Sequence, residues 1–141
     1  DQVISLLNEI LETEMAGVVR YTHYALMVFG HGRIPITSWL RSQATESLDH
    51  ATRAGELITQ FGGHPSLGIG DLLETHKHNI DDIMQESLEH EKKGLDFYYK
   101  LLKLVEGHSV LLEEYARTMI VEEETHIGDV EKMMRSPLKH D

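Results

Sequence analysis

Glu122-Glu123-Glu124-Thr125-His126 lies inside a long helical pattern that runs from Leu111 to Met134. Glu123 and His126 are three residues apart, so on a helix they stand one turn apart on the same side. The rest of that side is apolar: Leu112, Tyr115, Met119, Val130 and Met133. A carboxylate and an imidazole in the middle of such a stripe are costly to desolvate unless something pairs with them. A divalent metal suits both as ligands. The remaining ligands then have to come from elsewhere in the chain.

Three further helical patterns precede this one. The first runs from about Gln2 to Phe29, with Val3, Leu7, Ile10, Leu11, Val18, Tyr21, Ala25 and Val28 on one stripe. Gly30-His31-Gly32 ends it. The second runs from about Pro35 to Phe61 and puts Trp39, His50, Ala54, Leu57 and Phe61 on one face. Gly62-Gly63 stops it and opens a connection that continues to Gly70. Extended, nine residues reach roughly 30 Å, enough to run the length of a bundle. The third helix is expected from near Asp71 to about Glu106, on a stripe from Ile80 through Leu88 and Tyr98 to Val105. Gly107-His108-Ser109 makes a short turn into the fourth, which ends before Pro137. Leu138 to Asp141 are too few for a further helix of consequence. No segment alternates as a strand would. The expectation is one domain over residues 1–141: an all-α, antiparallel four-helix bundle with one long crossover between helices 2 and 3.

The bulk numbers agree with a single domain and exclude several chemistries. The chain has 141 residues, 40% of them hydrophobic, which is enough for a real core. It has no cysteine, which removes disulfides, thiolate metal sites, iron–sulfur clusters and thiol catalysis. That absence is compatible with the cytoplasm. No apolar run approaches the ~20 residues of a membrane span, and no signal-peptide pattern opens the chain. A net charge of −11 argues against nucleic acid as a partner and fits a surface that attracts cations.

The two halves of the chain resemble each other. Glu14 is followed seven residues later by Tyr21, and Glu91 seven later by Tyr98. Helices 2 and 4 each carry a histidine with acids one turn before it, Glu46…His50 and Glu122/Glu123…His126. At about 100° per residue, Glu14, His50, Glu91 and His126 each fall near the centre of their helix's apolar stripe. Each is also near mid-helix, so a bundle brings them to one level. Glu89 and His90 point away from the stripe. A single such residue is more often a snorkelling acid or a hydrogen-bonded core histidine. Four helices with the same feature at the same level point to a metal site. Oxygen and nitrogen donors without sulfur suit iron, manganese or zinc. Tyr21 and Tyr98 read as core residues whose hydroxyls can donate to a ligand carboxylate one level away.

These residues resemble the ferritin-like superfamily, and the bacterioferritins in particular. The resemblance runs through LNEILETEMAGVVRYTHYALMVFGHG, LDHATRAGELI, SLEHEKKGLDFYYKLL and MIVEEETHIGDVEKM. The motif is one Glu from each of two helices and Glu-x-x-His from the other two. The resemblance implies a di-iron centre that oxidises iron(II) with O2 or H2O2, and a homo-oligomeric shell that stores iron(III). It implies that Glu14 and His50 bind one iron, that Glu91 and His126 bind the other, and that Glu123 bridges them. The second bridge should stand three residues before His50, but that residue is Ser47. Glu46, four before His50, is the candidate substitute. The family's haem methionine follows that bridging position, and here Leu48 stands there, so no bacterioferritin-type haem is expected. Other readings of the same residues are a di-metal enzyme handling peroxide, a non-catalytic assembly subunit with an altered site, and a bundle without a site. His31, His64, His76, His78, His108 and His140 fall in loops, helix starts or the tail, and no role is expected of them.

Overall fold

The computed structural model describes residues 1–136. The expected chain end beyond Pro137, with His140, lies outside the described residues. Among those described there are four helices and no strand: α1 (Gln2–Met27), α2 (Arg33–Gln60), α3 (Ile80–Val105) and α4 (Val110–Met134). Side chains that accept from orphan backbone donors start three of them. Asp1 accepts from the Ile4 N–H at 3.0 Å, Asn79 from that of Asp82 at 2.9 Å, and Ser109 from that of Leu112 at 3.2 Å. The turn between α1 and α2 is short and uses Gly30 at φ +100°, a conformation L side chains rarely adopt.

The largest difference from the sequence expectation is the start of α3. It begins at Ile80, not near Asp71, so the crossover covers residues 61–79. Asp71 and Glu74, three apart, imitate a capping pair. The real cap is Asn79, and the Glu74 carboxylate accepts instead from the His76 N–H at 2.6 Å. Length explains why more chain is needed. α2, with 28 residues, spans about 42 Å at ~1.5 Å per residue, beyond the reach of nine. The crossover travels back along α1. Asn8 Nδ2 donates to the His64 carbonyl at 3.1 Å, the Gly70 N–H to the Glu12 carbonyl at 2.8 Å, and Arg20 to the Asp71 carbonyl at 3.1 Å.

α1 packs against α2 and α3, and α3 against α4. Cross-helix pairs run in opposite sequence directions, so neighbours are antiparallel: Tyr21 meets Glu91, while Glu14 meets Tyr98. The core divides into two apolar clusters. One holds Leu7, Ile10, Ala54, Ile58, Leu101, Val105, Leu112 and Met119. The other holds Tyr24, Val28, Leu40, Ile83, Met84, Ile127 and Val130. On every helix the gap between the clusters is filled by polar residues, Glu14, Ser47, His50, Glu91 and Glu123, all buried. Each fully buried Leu or Ile stabilises the bundle by roughly 1.5–3 kcal/mol, which is what holds this polar layer out of water. The ends are less apolar than their stripes suggested: Phe61 is 44% and Met133 43% exposed.

Two glycines should respond oppositely to the same change. A methyl at Gly63, where α2 gives way to the crossover, would meet Ile4 Cγ2 at 2.7 Å and Ile4 Cδ1 at 2.9 Å. At Gly55, inside α2, it meets nothing within 4 Å. Gly63→Ala is expected to destabilise by about 1–3 kcal/mol. Gly55→Ala is expected to stabilise by up to about 1 kcal/mol. Urea or thermal unfolding of the two variants checks the pair of signs.

Candidate metal centre

Each helix delivers a polar group to one level: Glu14 from α1, His50 from α2, Glu91 from α3, and Glu123 with His126 from α4. Glu14, His50, Glu91 and Glu123 are buried, and the His126 side chain is 12% exposed. His50 Nδ1 faces two acids, Glu14 Oε2 at 3.5 Å and Glu123 Oε1 at 3.3 Å. Glu14, His50 and Glu123 each offer one ligand atom, all within 4.8 Å of one another. In the other half, His126 Nε2 lies 3.9 Å from Glu91 Oε1.

The internal repeat appears as exchanged hydrogen bonds. The Tyr21 hydroxyl donates to Glu91 Oε1 at 2.5 Å, and the Tyr98 hydroxyl to Glu14 Oε1 at 3.1 Å. Each tyrosine therefore serves the glutamate of the other repeat. Seven residues carry the chain two helical turns, which matches the rise between a glutamate and the tyrosine opposite its counterpart. Trp39 stacks against the His126 ring, with centroids 5.8 Å apart and planes 6° from parallel, and meets Tyr21 edge-on.

As an arrangement of protein groups alone, this layer is strained electrostatically. Burial pushes the Glu14 carboxyl above its ordinary range, and the charge of Glu91 adds to this against the opposing bonds from His50 and Tyr98. Burial also pushes Glu91 well up, helped by the Glu123 carboxyl beside it. Burial alone would lower the pKa of His50, but Glu123 and Glu14 outweigh it and raise it to about 11. Glu123 Oε2 is buried and has no hydrogen-bond partner. The Glu123 side chain also lines a small pocket of about 10 Å³, with Gln43, Glu46, Ser47, His50, Glu91 and His126, about the space of one water-sized sphere. An orphan carboxylate oxygen, mutually repelling acids and two imidazoles around a small void are a donor set that fits a divalent cation.

The second helix differs from the fourth. Ser47 is buried at the position where a bridging acid is expected. Its Oγ packs toward α1, where a methyl at Gly17 would lie 2.6 Å from it. Glu46 lines the void, but its side chain is 46% exposed and its carboxylate is 3.9 Å from His50 Nε2. A different acid comes closer: Glu122 Oε2 is 3.0 Å from His50 Nε2, and Arg53 approaches its other oxygen at 3.7 Å. His50 Nε2 is thus within hydrogen-bond distance of Glu122, on the side of the ring opposite to Nδ1, which faces Glu14 and Glu123. Glu122 sits in the stretch that marks the site in the sequence, yet helical angles alone do not single it out. Its role depends on how far α2 stands from α4. Glu89 is exposed, and His90 lies in the seam between α1 and α3 beside Gly17. Burial, then the charges of Arg20 and Lys93, lower the His90 pKa to about 4.

Comparison with known proteins places the fold. Residues 4–136 match the family model of the ferritin-like domain. The chain belongs to the ferritin-like family. Its fold is similar to that of a ferritin-like, diiron-carboxylate protein from Bacillus anthracis, with a TM-score of 0.89 and 21% identity over 95% of this chain and 96% of that one. It is also similar to a Rhodobacter capsulatus bacterioferritin with a metal-free dinuclear site and haem iron. There the TM-score is 0.87 and the identity 22%, over 94% of this chain and 83% of that one. At these identities the likeness speaks for the fold. No curated protein matches the sequence.

Glu122 and Glu46 can be separated by experiment. Glu122→Gln is expected to weaken metal binding at the His50 side by about 10-fold or more, the usual cost of losing a carboxylate behind a ligating histidine. Glu46→Gln should leave affinity nearly unchanged. Anaerobic titration with iron(II) or zinc measures both, and a larger effect at Glu46 would make that residue the substitute for the missing bridge.

Proposed function

We propose that this ferritin-like chain binds iron(II) in its central layer and oxidises it with O2 or H2O2, for iron storage or detoxification. The observation that carries the reading is the orphaned Glu123 oxygen, on a side chain that also lines a small pocket with His50, Glu91 and His126. Glu14 and His50 would hold one metal, Glu91 and His126 the other, and Glu123 would lie between them. Iron is the proposed metal, and manganese and zinc suit the same donors. When bound, a pair of iron ions supplies two electrons for reducing an oxidant.

The protein's own groups would set the geometry. The Tyr21 and Tyr98 hydroxyls hold one oxygen of Glu91 and of Glu14, leaving the second oxygen of each for a metal. Glu122 orients His50. Trp39 covers one face of the His126 ring, and the two apolar clusters flank the layer. No acid–base residue beyond the ligands is called for.

Exposed Phe29 (74%), Ile34 (83%) and Leu67 (97%) support a homo-oligomeric assembly of the kind that encloses stored iron. A net charge of −11 favours cations over nucleic acid. No helix among the described residues is long and apolar enough to cross a membrane, and the proposed setting is the cytoplasm. No haem is proposed: Leu48, 49% exposed on α2, has no thioether to offer it. The serine at position 47 supports a second reading. With one bridging acid fewer, the layer would serve peroxide turnover without mineral formation, or only the assembly of other subunits.

Glu91→Ala and His126→Ala are each expected to abolish iron(II) oxidation, by more than about 100-fold in rate, while circular dichroism stays helical. Unchanged oxidation in both variants rejects the assignment. Rapid peroxide consumption by the native protein without iron(III) mineral would favour the second reading. A Soret band in the purified protein would contradict the absence of haem.

A further inference from the structure

A second group of ligand-type side chains lies outside the central layer. His23 projects from α1, nine residues beyond Glu14 and so about 13 Å further along the helix. Opposite it the crossover presents Glu74 and His78. Glu74 Oε2 is 2.9 Å from His23 Nε2, and Glu74 Oε1 is 3.3 Å from His78 Nε2. Each of the three residues offers one atom, all within 4.8 Å of one another. The two imidazole rings meet edge-on, with centroids 5.5 Å apart and planes at 71°.

We propose that His23, Glu74 and His78 form a binding site for one divalent transition-metal ion of the zinc class, which ties the crossover to α1. Ligand atoms around a tetrahedral zinc, with bonds of ~2.0–2.1 Å, stand about 3.3 Å apart, and the two contacts of Glu74 are close to that spacing. Two imidazoles and one carboxylate are a set zinc or iron(II) accepts, and a fourth position remains for water.

The alternative is a metal-free pair of histidine–glutamate contacts. Two observations speak against it. His23 Nε2 is shielded from solvent and makes no hydrogen bond, although Glu74 Oε2 is 2.9 Å away. The nitrogen is therefore buried within ion-pair distance of the carboxylate but without a hydrogen-bond partner. The backbone between Glu74 and His78 is also held in an uncommon shape. His76 has φ +57°, in the left-handed region that non-glycine residues seldom occupy. That turn brings Glu74 and His78 to one side. Its N–H donates to Glu74 Oε1 at 2.6 Å, and this bond, more than the neighbouring histidines, keeps the carboxyl below its ordinary range. Thr75 is fastened to Glu86 of α3, which also accepts from Tyr24 of α1 at 3.0 Å. The site is thus framed on both sides before any ion arrives.

The test is zinc titration of the whole protein by calorimetry, with cobalt(II) absorption as a report on geometry. In a Glu91→Ala, His126→Ala background one zinc per chain should remain, and adding His78→Ala should remove it or weaken it at least about 10-fold. If that background fails to fold, the native protein serves: His78→Ala or His23→Ala should each lose one zinc equivalent per chain and the tetrahedral cobalt band. Zinc should slow protease cleavage within residues 61–79 of the native protein but not of His78→Ala. Equal zinc stoichiometry and affinity with and without the two histidines overturns the proposal. Loss of zinc only on changing Glu91 and His126 does the same, and leaves the central layer as the one site.

Discussion

Everything in this bundle is arranged around the cost of burying carboxylates. Glu14, Glu91 and Glu123 sit where each helix would otherwise offer a leucine. Removing one partner from a buried charge pair typically costs about 3–5 kcal/mol, a large share of a domain's net stability of roughly 5–15 kcal/mol. The chain offsets this in two ways. Apolar clusters above and below the layer supply the burial energy. Within the layer, tyrosine hydroxyls and imidazoles take up most of the acceptor oxygens. One oxygen of Glu123 is left over, and a divalent cation would satisfy that oxygen and offset the repulsion between the acids.

The layer is nearly two-fold symmetric, and one position breaks the symmetry. Glu14 with Tyr98 mirrors Glu91 with Tyr21, and His50 mirrors His126. The symmetry fails at Glu123, whose counterpart is Ser47 packed toward Gly17. A hydroxyl there removes one negative charge from the interior. Glu122 and Glu46 return negative charge on the outer, Nε2 side of His50. The two halves of the layer therefore differ in charge and in exposure: His50 is 4% exposed, and the acids on its outer side are far more open.

The fold was legible because long amphipathic helices leave a periodic record, and the buried polar layer because polar residues interrupt that record at the same level four times. Glu14, His50, Glu91, Glu123 and His126 all meet in one layer. Contacts decided by the distance between helices were not legible. Glu122 reaches His50 with its side chain, although α2 and α4 are not among the closely packed helix pairs. Trp39 was visible as a core residue, but its place against His126 was not. Asp71 carried a helix-start signal that lost to the span the crossover has to cover. His78 had no periodic pattern around it, and its neighbours are set by the left-handed turn at His76 and by α1.

The central claim is that this polar layer exists to hold metal. Anomalous diffraction at the iron edge, from crystals of the protein loaded anaerobically with iron(II), tests it most directly. The account predicts iron among Glu14, His50, Glu91, Glu123 and His126, with Glu123 Oε2 among its ligands and bonds of about 2.0–2.2 Å, the range for nitrogen and carboxylate donors. A layer without anomalous density, with Glu123 Oε2 hydrogen-bonded to water or protein instead, would contradict it.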